Sequence, residues 1–458
     1  MVTMEAAPTP MPLLTAHLGT PGAWTYDFYV RHGGYEQWKR ALQGALSRET
    51  ITDEVKKSGI RGRGGAGFPV ASKWSTLPPL ERAPRYIVVN GDESEPGTCH
   101  DRFLVEEDPH QMLEGALLCA FAVNAHRIFI YLRGEFGLGA ERMTAAIDAA
   151  YAHGLLGENI MGSGFSLDAV VYRGAGAYIC GEETALIQSL NGYRGITRLK
   201  PPYFPASLGG GAWGMPTIMQ NVQTMANLPL IVKMGGEEFA KIGDATPMGA
   251  GIAAGPVGTG TMIYSVSGHV NRPGNYELPL GVTVRELIAA AGGVLGGKAV
   301  KAVIPGGGTS AWLDGSQLDT KMDFKNVPAV GFGYILGTGA TTVMNEDICV
   351  PHCLAKISYF YHHESCGECT PCREGGAWMY KTLLRILDGR GRPEDMDLLQ
   401  DLCDNIEGKT LCQFGYSVTW PVRFAIKKWR EEFEYHIREG KCPAGDHPFG
   451  VTTLTPAV

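Results

Sequence analysis

Three cysteines fall within seven residues, Cys366-x-x-Cys369-x-x-Cys372. Thiolates at this spacing share one tight loop and bind a single metal centre, with a fourth ligand drawn from elsewhere. Cys412, ending the run Ile406-Glu-Gly-Lys-Thr-Leu-Cys412, is the first choice for that ligand. Cys403 competes, but it sits in the apolar-periodic stretch Leu398 to Ile406, where a cysteine packs as a small core residue. Zinc also takes four thiolates, usually from two paired knuckles. Three clustered ligands plus one distant ligand favour a [4Fe–4S] cluster instead. The chain has eleven cysteines. Cys99, Cys119, Cys180, Cys349, Cys353 and Cys442 have no spacing partner and read as core or loop thiols.

Three loops carry the remaining chemistry. Gly62-Arg-Gly64-Gly-Ala-Gly67 matches G-x-G-x-x-G, but Val55-Lys-Lys-Ser-Gly-Ile before it is no strand, so an ordinary dinucleotide fold is not expected there. Its bare backbone N–H groups still suit a phosphate, with Arg63 and Lys73 supplying charge. A second loop runs Gly174-Ala-Gly-Ala-Tyr178 into Gly181-Glu-Glu183. A third, Gly91-Asp-Glu-Ser-Glu-Pro-Gly97, carries three carboxylates. Carboxylates beside a phosphate loop make sense when they accept hydrogen bonds from ribose hydroxyls or a ring amide.

The elements that must position these loops alternate. Helical, charged residues 24–59 end at Ser58-Gly59. Tyr86 to Asn90, Arg127 to Arg133 and Ala169 to Arg173 read as strands; 109–123, 139–153 and Thr184 to Leu190 read as helices. That alternation predicts an α/β domain over 60–242. Residues 243–261, rich in Gly, Ala and Pro, read as a linker. A small α+β module is expected at 262–337, with strands at Met262 to Val266, Tyr276 to Leu278 and Ala302 to Ile304 and a helix at Val284 to Ala291. A helical cysteine-bearing region follows at 338–440, and 441–458 reads as a tail; 1–59 is an N-terminal helical segment.

Composition narrows the class. The 458 residues are 44% hydrophobic with a net charge of −7, which suits a globular core and argues against a broad nucleic-acid or anionic-membrane surface. Met1 to Leu14 lacks Lys and Arg and has no apolar run, so no signal peptide is expected. No stretch of about 18 apolar residues suggests a membrane-spanning helix.

Taken in order, four segments resemble the FMN-binding flavoprotein subunit of bacterial complex I. They are Arg61-Gly-Arg-Gly-Gly-Ala-Gly-Phe-Pro69, Asn90 with Asp92-Glu-Ser-Glu-Pro-Gly97, Gly174-Ala-Gly-Ala-Tyr-Ile-Cys-Gly-Glu-Glu-Thr-Ala185, and Glu364-Ser-Cys-Gly-Glu-Cys-Thr-Pro-Cys-Arg-Glu-Gly375. The same core occurs in diaphorase subunits of NAD-linked hydrogenases and formate dehydrogenases. The resemblance covers roughly residues 20 to 440.

It implies a Rossmann-like FMN domain, a ubiquitin-like β-grasp domain and a C-terminal helical bundle holding the cluster. FMN contacts would map to Gly62, Arg63, Gly64, Gly65, Lys73, Asn90, Asp92, Glu93, Gly181, Glu182, Asn221 and Thr224. NADH would touch Phe68, Glu95, Tyr178, Glu183, Lys200, Tyr203 and Phe204, with Glu95 favouring NADH over NADPH. Cys366, Cys369, Cys372 and Cys412 would bind the [4Fe–4S] cluster. The activity implied is hydride transfer from NADH to FMN, then single electrons to the cluster; no side chain need act as acid, base or nucleophile. Implied partners are a thioredoxin-like [2Fe–2S] subunit and the large iron–sulfur subunit of the peripheral arm. The implied location is cytoplasmic, on the inner face of the cell membrane through that complex. Gln220-Asn-Val-Gln-Thr224 departs from the family's Asn-Asn-Val-Glu-Thr, and Thr76 stands where some members place an aromatic. Two other readings remain: a diaphorase subunit with the same chemistry, and a non-enzymatic zinc-binding adaptor.

Overall fold

The computed structural model describes residues 8–79, 84–200, 206–329, 333–334 and 336–445. Three short helices open the chain: α1 (Tyr26–Arg31), α2 (Glu36–Leu42) and α3 (Arg48–Ser58). Thr25 and Ser47 cap α1 and α3 with their hydroxyls, and Gly59 ends α3 with φ 63°. The glycine-rich loop follows and closes on itself: Arg61 bridges Pro69, and the Gly62 N–H donates to Phe68 O at 2.9 Å. It leads into α4 (Val70–Trp74). Helix α3, not a strand, precedes the loop.

Next comes an α/β unit: β1 (Tyr86–Gly91), α5 (His100–Glu107), α6 (Pro109–Ala122), β2 (Arg127–Leu132), α7 (Gly137–Ala152), β3 (Asp168–Arg173), α8 (Glu183–Leu190), β4 (Thr217–Asn221), α9 (Val222–Met234) and α10 (Gly236–Ala240). The sheet is wholly parallel, ordered β3-β2-β1-β4. Ile87, Val88 and Val89 are buried, as a central parallel strand with layers on both faces requires. The sequence pattern does not reveal β4; Thr-Ile-Met-Gln-Asn is too short to show a period, and its pairing to β1 makes it a strand.

Helix α6 lies against α9 so closely that a Cβ on Gly115 would meet Met225 O at 1.9 Å. On the same helix the buried Glu114 carboxylate accepts from Tyr29 Oη and from the N–H groups of Tyr35 and Trp38, fastening the N-terminal helices to this domain.

Residues 243–261, expected as a linker, instead form an antiparallel hairpin of β5 (Gly243–Met248) and β6 (Gly255–Thr259). The hairpin grips the glycine-rich loop. Arg61 Nε donates to Pro256 O at 2.6 Å, and a Cβ on Gly59 would strike Pro256. Backbone pairing, to which composition is blind, overrides the flexible look of the sequence.

A mixed five-stranded sheet ordered β10-β9-β13-β7-β8 comes next. Its parts are β7 (Thr261–Gly268), β8 (Gly274–Pro279), α11 (Val284–Ala290), β9 (Val300–Ile304), β10 (Leu313–Asp314), a small hairpin of β11 (Pro328–Ala329) and β12 (Gly333–Tyr334), and β13 (Thr341–Asn345). Thr283 and Glu286 form a reciprocal capping box on α11. β13 pairs with β7 and β9 at the centre, so the sheet runs past the expected end at 337. Four helices complete the chain: α12 (Val350–Glu364), α13 (Thr370–Leu387), α14 (Asp395–Ile406) and α15 (Phe414–Glu439). Their apolar faces join residues of the first sheet, such as Val88 and Met219, in one buried cluster.

Candidate functional site

A cleft opens at the carboxyl ends of β1 and β4, where ligands bind in open parallel sheets. It has two lobes of about 450 and 280 Å³. Both are bordered by Gly64, Asn90, Gly181, Glu182, Lys200 and Asn221. Asn90 ends β1 and donates to Gly181 O at 2.9 Å, joining the strand to the second glycine loop. Asn221 ends β4 and caps α9, accepting from Thr224 N at 3.1 Å and donating to Asp101 at 2.5 Å. A Cβ on Gly64 would lie 3.0 Å from Asn221 Cβ, so glycine is what keeps the loop against this corner. Among the described residues, three buried side-chain polar atoms at the cleft have no hydrogen-bond partner: Arg63 Nε and Asp92 Oδ1 in the larger lobe and Gln220 Nε2 in the smaller. An acceptor and donors of this kind are groups that a polar heterocycle can satisfy.

The charges are distributed differently from expectation. Arg63 borders the larger lobe, but its guanidinium is buried and donates to the carbonyls of Arg61, Thr259 and Thr261. It clamps the loop to the hairpin and spends its Nη donors on those carbonyls. Lys73 does reach the smaller lobe, donating to Met219 O at 2.9 Å; burial lowers its pKa. Gly62 borders that lobe as well. Gly65 and Thr224 border neither lobe: Gly65 bridges Gly337, and Thr224 Oγ1 accepts from Arg63 N at 2.8 Å, positioning the loop from behind. Glu182 caps α8 through Thr184 N and Ala185 N and pairs with Lys200 at 2.5 Å.

The acidic loop is largely turned inward. Glu93 accepts from Asp101 N at 2.7 Å and Arg102 N at 3.0 Å, capping the start of α5; burial and the neighbouring Asp101 raise its pKa. His100 lies between them, with Nδ1 3.1 Å from Asp101 and 3.6 Å from Glu93. Burial pushes its pKa down, but these carboxylates outweigh it and raise it to about 9. Burial also raises Asp92 to about 7. Ser94, Thr98, His100 and Asp101 border the larger lobe as well, beyond the residues the sequence points to. Their signal is Ser94 within the acidic loop and the polar run Thr98 to Asp101 directly after it.

Glu95 is held by three donors: Tyr178 Oη at 2.5 Å, Thr309 N at 2.9 Å and Tyr361 Oη at 3.0 Å. They come from the second glycine loop, the five-stranded sheet region and α12, so one carboxylate fastens three parts of the chain. Glu95 and Tyr178 border the larger lobe, Phe68 and Glu183 the smaller, and Lys200 both. Tyr203 and Phe204 lie outside the described residues.

Cys366 lies in the loop between α12 and α13, Cys369 caps α13 and Cys372 is in its first turn. Cys412 comes from the loop between α14 and α15. Burial foremost, and then Cys369, Cys412 and Cys366, push the Cys372 thiol up to about 12. Cys412 is raised to about 11, chiefly by burial, with Cys366 among its neighbours. Cys403 is buried on α14 with Sγ directed at Thr419 O at 3.7 Å, the packing role expected of the competitor. Four thiolates on one zinc ion would lie about 4 Å apart. Among the described residues, no three of these four have their sulfurs all within 4.8 Å of one another. Cys412 also borders the larger lobe, beside Phe414 and across from Asp92 and Glu95.

Comparison with known proteins follows the same divisions. Residues 55–230 match the family described as the Nuo51 FMN-binding domain, and 352–436 the NADH-ubiquinone oxidoreductase-F iron-sulfur binding region. Residues 263–314 match the SLBB domain. The F subunit of NADH-quinone oxidoreductase in Mycobacterium bovis is 44% identical, over 96% of this chain and 97% of that protein. Its counterpart in Rickettsia typhi is 46% identical over 91% and 96%, and that of Streptomyces coelicolor 43% over 94% and 92%. Two solved structures of an NAD+-reducing [NiFe]-hydrogenase are also similar. The air-oxidized state has TM-score 0.73 at 31% identity, covering 85% of this chain and 63% of that one. The H2-reduced state has TM-score 0.78 at 30% identity, covering 97% and 70%.

Proposed function

The chain belongs to the family of the NADH-quinone oxidoreductase F subunit, and from that premise we propose how its residues divide the work. It oxidises NADH by means of FMN and passes electrons to a [4Fe–4S] cluster. When bound, FMN supplies the exchange between a two-electron hydride donor and a one-electron acceptor. The chain's own task is placement.

In this reading Gly62, Gly64 and Gly181 bring bare backbone to the flavin and Lys73 supplies the cation. Asn90, Asp92, Glu93, Glu182 and Asn221 shape the polar wall. Arg63, Gly65 and Thr224 act from behind the loop. Phe68, Glu95, Tyr178, Glu183 and Lys200 face the dinucleotide, with Tyr203 and Phe204 as further candidates. Cys366, Cys369, Cys372 and Cys412 hold the cluster. The observation that carries this is that Cys412 lines the same cavity as Asp92 and Glu95.

The proposed divisions are 60–242 for FMN and NADH, a ubiquitin-like β-grasp domain that begins at 262 and, with β13, runs past 337 to 345, and an iron–sulfur domain from there to 440, with 1–59, 243–261 and 441–458 as flanking segments. No described helix is long and apolar enough to cross a membrane. Attachment to the inner membrane face would come through a thioredoxin-like [2Fe–2S] subunit and the large iron–sulfur subunit. The likeness to the hydrogenase structures favours a second reading, a diaphorase subunit with identical chemistry; co-purifying subunits distinguish the two.

The test is spectroscopic. The purified chain should show flavin and iron–sulfur absorbance, release FMN on heating, and bleach when NADH is added without oxygen. Release of FAD, or no flavin from folded protein, overturns the assignment.

A further inference from the structure

Two cysteines that have no sequence partner meet in space. Cys349 precedes α12 as its N-cap, and Cys442 follows α15. Between them stands His436, on the last turns of α15. Cys349 Sγ and His436 Nε2 are 3.2 Å apart, and the ligand atoms of Cys349, His436 and Cys442 all lie within 4.8 Å of one another. Cys349 and His436 are buried, and Cys442 is half-buried. We propose that Cys349, His436 and Cys442 form a second metal site, for a zinc-class divalent ion, separate from the iron–sulfur cluster.

The donor set decides the class of ion. Two thiolates and an imidazole select zinc among the common divalent ions, and hard cations avoid them. Tetrahedral zinc separates its ligand atoms by about 3.5–4 Å, so a small outward shift from the present spacing admits the ion. Two thiolates, a neutral imidazole and a 2+ ion sum to zero charge, which suits a buried position. The nearest charged pair, Lys301 and Glu432, already neutralises itself at 2.6 Å, and Glu432 also accepts from Val350 N at 3.1 Å. Without metal, burial holds the Cys349 thiol well above its ordinary pKa. Binding displaces one proton from each thiol, and the helix N-terminus at Cys349 favours the thiolate formed.

The position has a structural consequence. Cys349 and the cluster loop stand at opposite ends of α12, about 22 Å apart along its axis. Metal here would tie the end of α15 to the start of α12 and close the helical region at the end remote from the cluster. Three protein ligands leave a fourth position for water, and the half-buried Cys442 leaves that side open.

The experiment uses the full chain with its flavin and cluster, produced with zinc in the medium and purified without chelators. Elemental analysis should find about one zinc per chain beside the cluster iron, and zinc-edge X-ray absorption should show two sulfurs at about 2.3 Å and nitrogen or oxygen at about 2.0–2.1 Å. Cys442→Ser and Cys349→Ser should lose the zinc while keeping the iron, and Cys353→Ser, one helical turn from Cys349, should keep both. If a serine variant fails to fold, the absorption spectrum of the wild type still decides. No zinc, zinc retained in both variants, a shell without sulfur, or a Cys349–Cys442 disulfide by mass spectrometry overturns the proposal.

Discussion

The cleft proposed for the flavin and the loop carrying Cys412 share a wall, yet the polar groups of the cleft and of the four cysteines are satisfied in different ways. In the cleft, nearly every side chain is held by the protein itself: Asn90 by Gly181, Asn221 by Asp101 and Thr224, Glu93 by the start of α5, Glu95 by three donors. Among the described residues there, the buried side-chain atoms that await a partner are Arg63 Nε, Asp92 Oδ1 and Gln220 Nε2. The cleft is therefore shaped before any ligand arrives, and each residue contributes a fraction. At the cysteines, burial raises Cys372 and Cys412; Cys372 has Ser365 and the other three thiols beside it, and Cys412 has Phe414 N, Glu182, Thr197 and Cys366. Those thiols become thiolates only with metal, so the set stands or falls together.

The largest effect expected from that contrast is at a single ligand. Cys412→Ala should lose most of the cluster iron, whereas Cys403→Ala should keep it and lose only packing stability. Iron assay and electron paramagnetic resonance on both variants measure this. Cluster loss from Cys403→Ala with retention in Cys412→Ala would reverse the assignment and break the contrast.

A cleft substitution should do less. Gly64→Ala places a Cβ 3.0 Å from Asn221 Cβ. Overpacking of this kind costs about 1–3 kcal/mol, or roughly tenfold or more in flavin affinity. Flavin titration of stripped protein reads it, and unchanged affinity would show that the corner yields freely.

Glu95→Gln sharpens the comparison at the dinucleotide side. The carboxylate would repel a 2′-phosphate, so its neutralisation should shift the NADH-to-NADPH ratio of kcat/KM by about 1–3 kcal/mol, roughly ten- to a hundredfold. The three donors to Glu95 predict a second readout, a lower melting temperature, because amide replaces carboxylate at a three-way junction. A melting change with no ratio change would leave Glu95 as a fastener only.

The smallest effect is in pH. Burial lifts the Asp92 carboxyl from 3.8 to about 7. In flavin-free protein this penalty is absent below pH 3.8, grows as pH rises, and is complete above about 7. If Asp92 faces a ring N–H, that donor would satisfy the ionised acceptor, and flavin affinity should fall as pH drops below about 7. Asp92→Asn should flatten that profile; a profile unchanged in the variant removes Asp92 from it.

Much of the local structure is legible in the sequence. The three close cysteines, the glycine loop with no strand before it, β1, β2 and β3 and most helices follow from short-range periodicity and capping residues such as Ser47 and Thr283. The rest is hidden for identifiable reasons. Thr217–Asn221 is a strand because β1 pairs with it, and 243–259 is a hairpin because its backbone groups find each other; neither fact is carried by residue type. Arg63 resembles a phosphate ligand, but the carbonyls of Thr259 and Thr261, nearly 200 residues away, claim its guanidinium.

The sequence by itself therefore determined the chemistry available: which loops leave backbone bare, which segments carry carboxylates, and where three thiols must share one turn. These depend on neighbours a few residues apart, whose separation the chain geometry limits. Tertiary structure alone decided which of those groups face a ligand and which are spent on the protein. Only folding brings Glu95 to Thr309 and Tyr361, Cys412 to the rim of the flavin cleft, and Cys349 to His436, across 87 residues. A buried polar group takes whichever partner the packing delivers, and packing joins positions that no spacing rule connects.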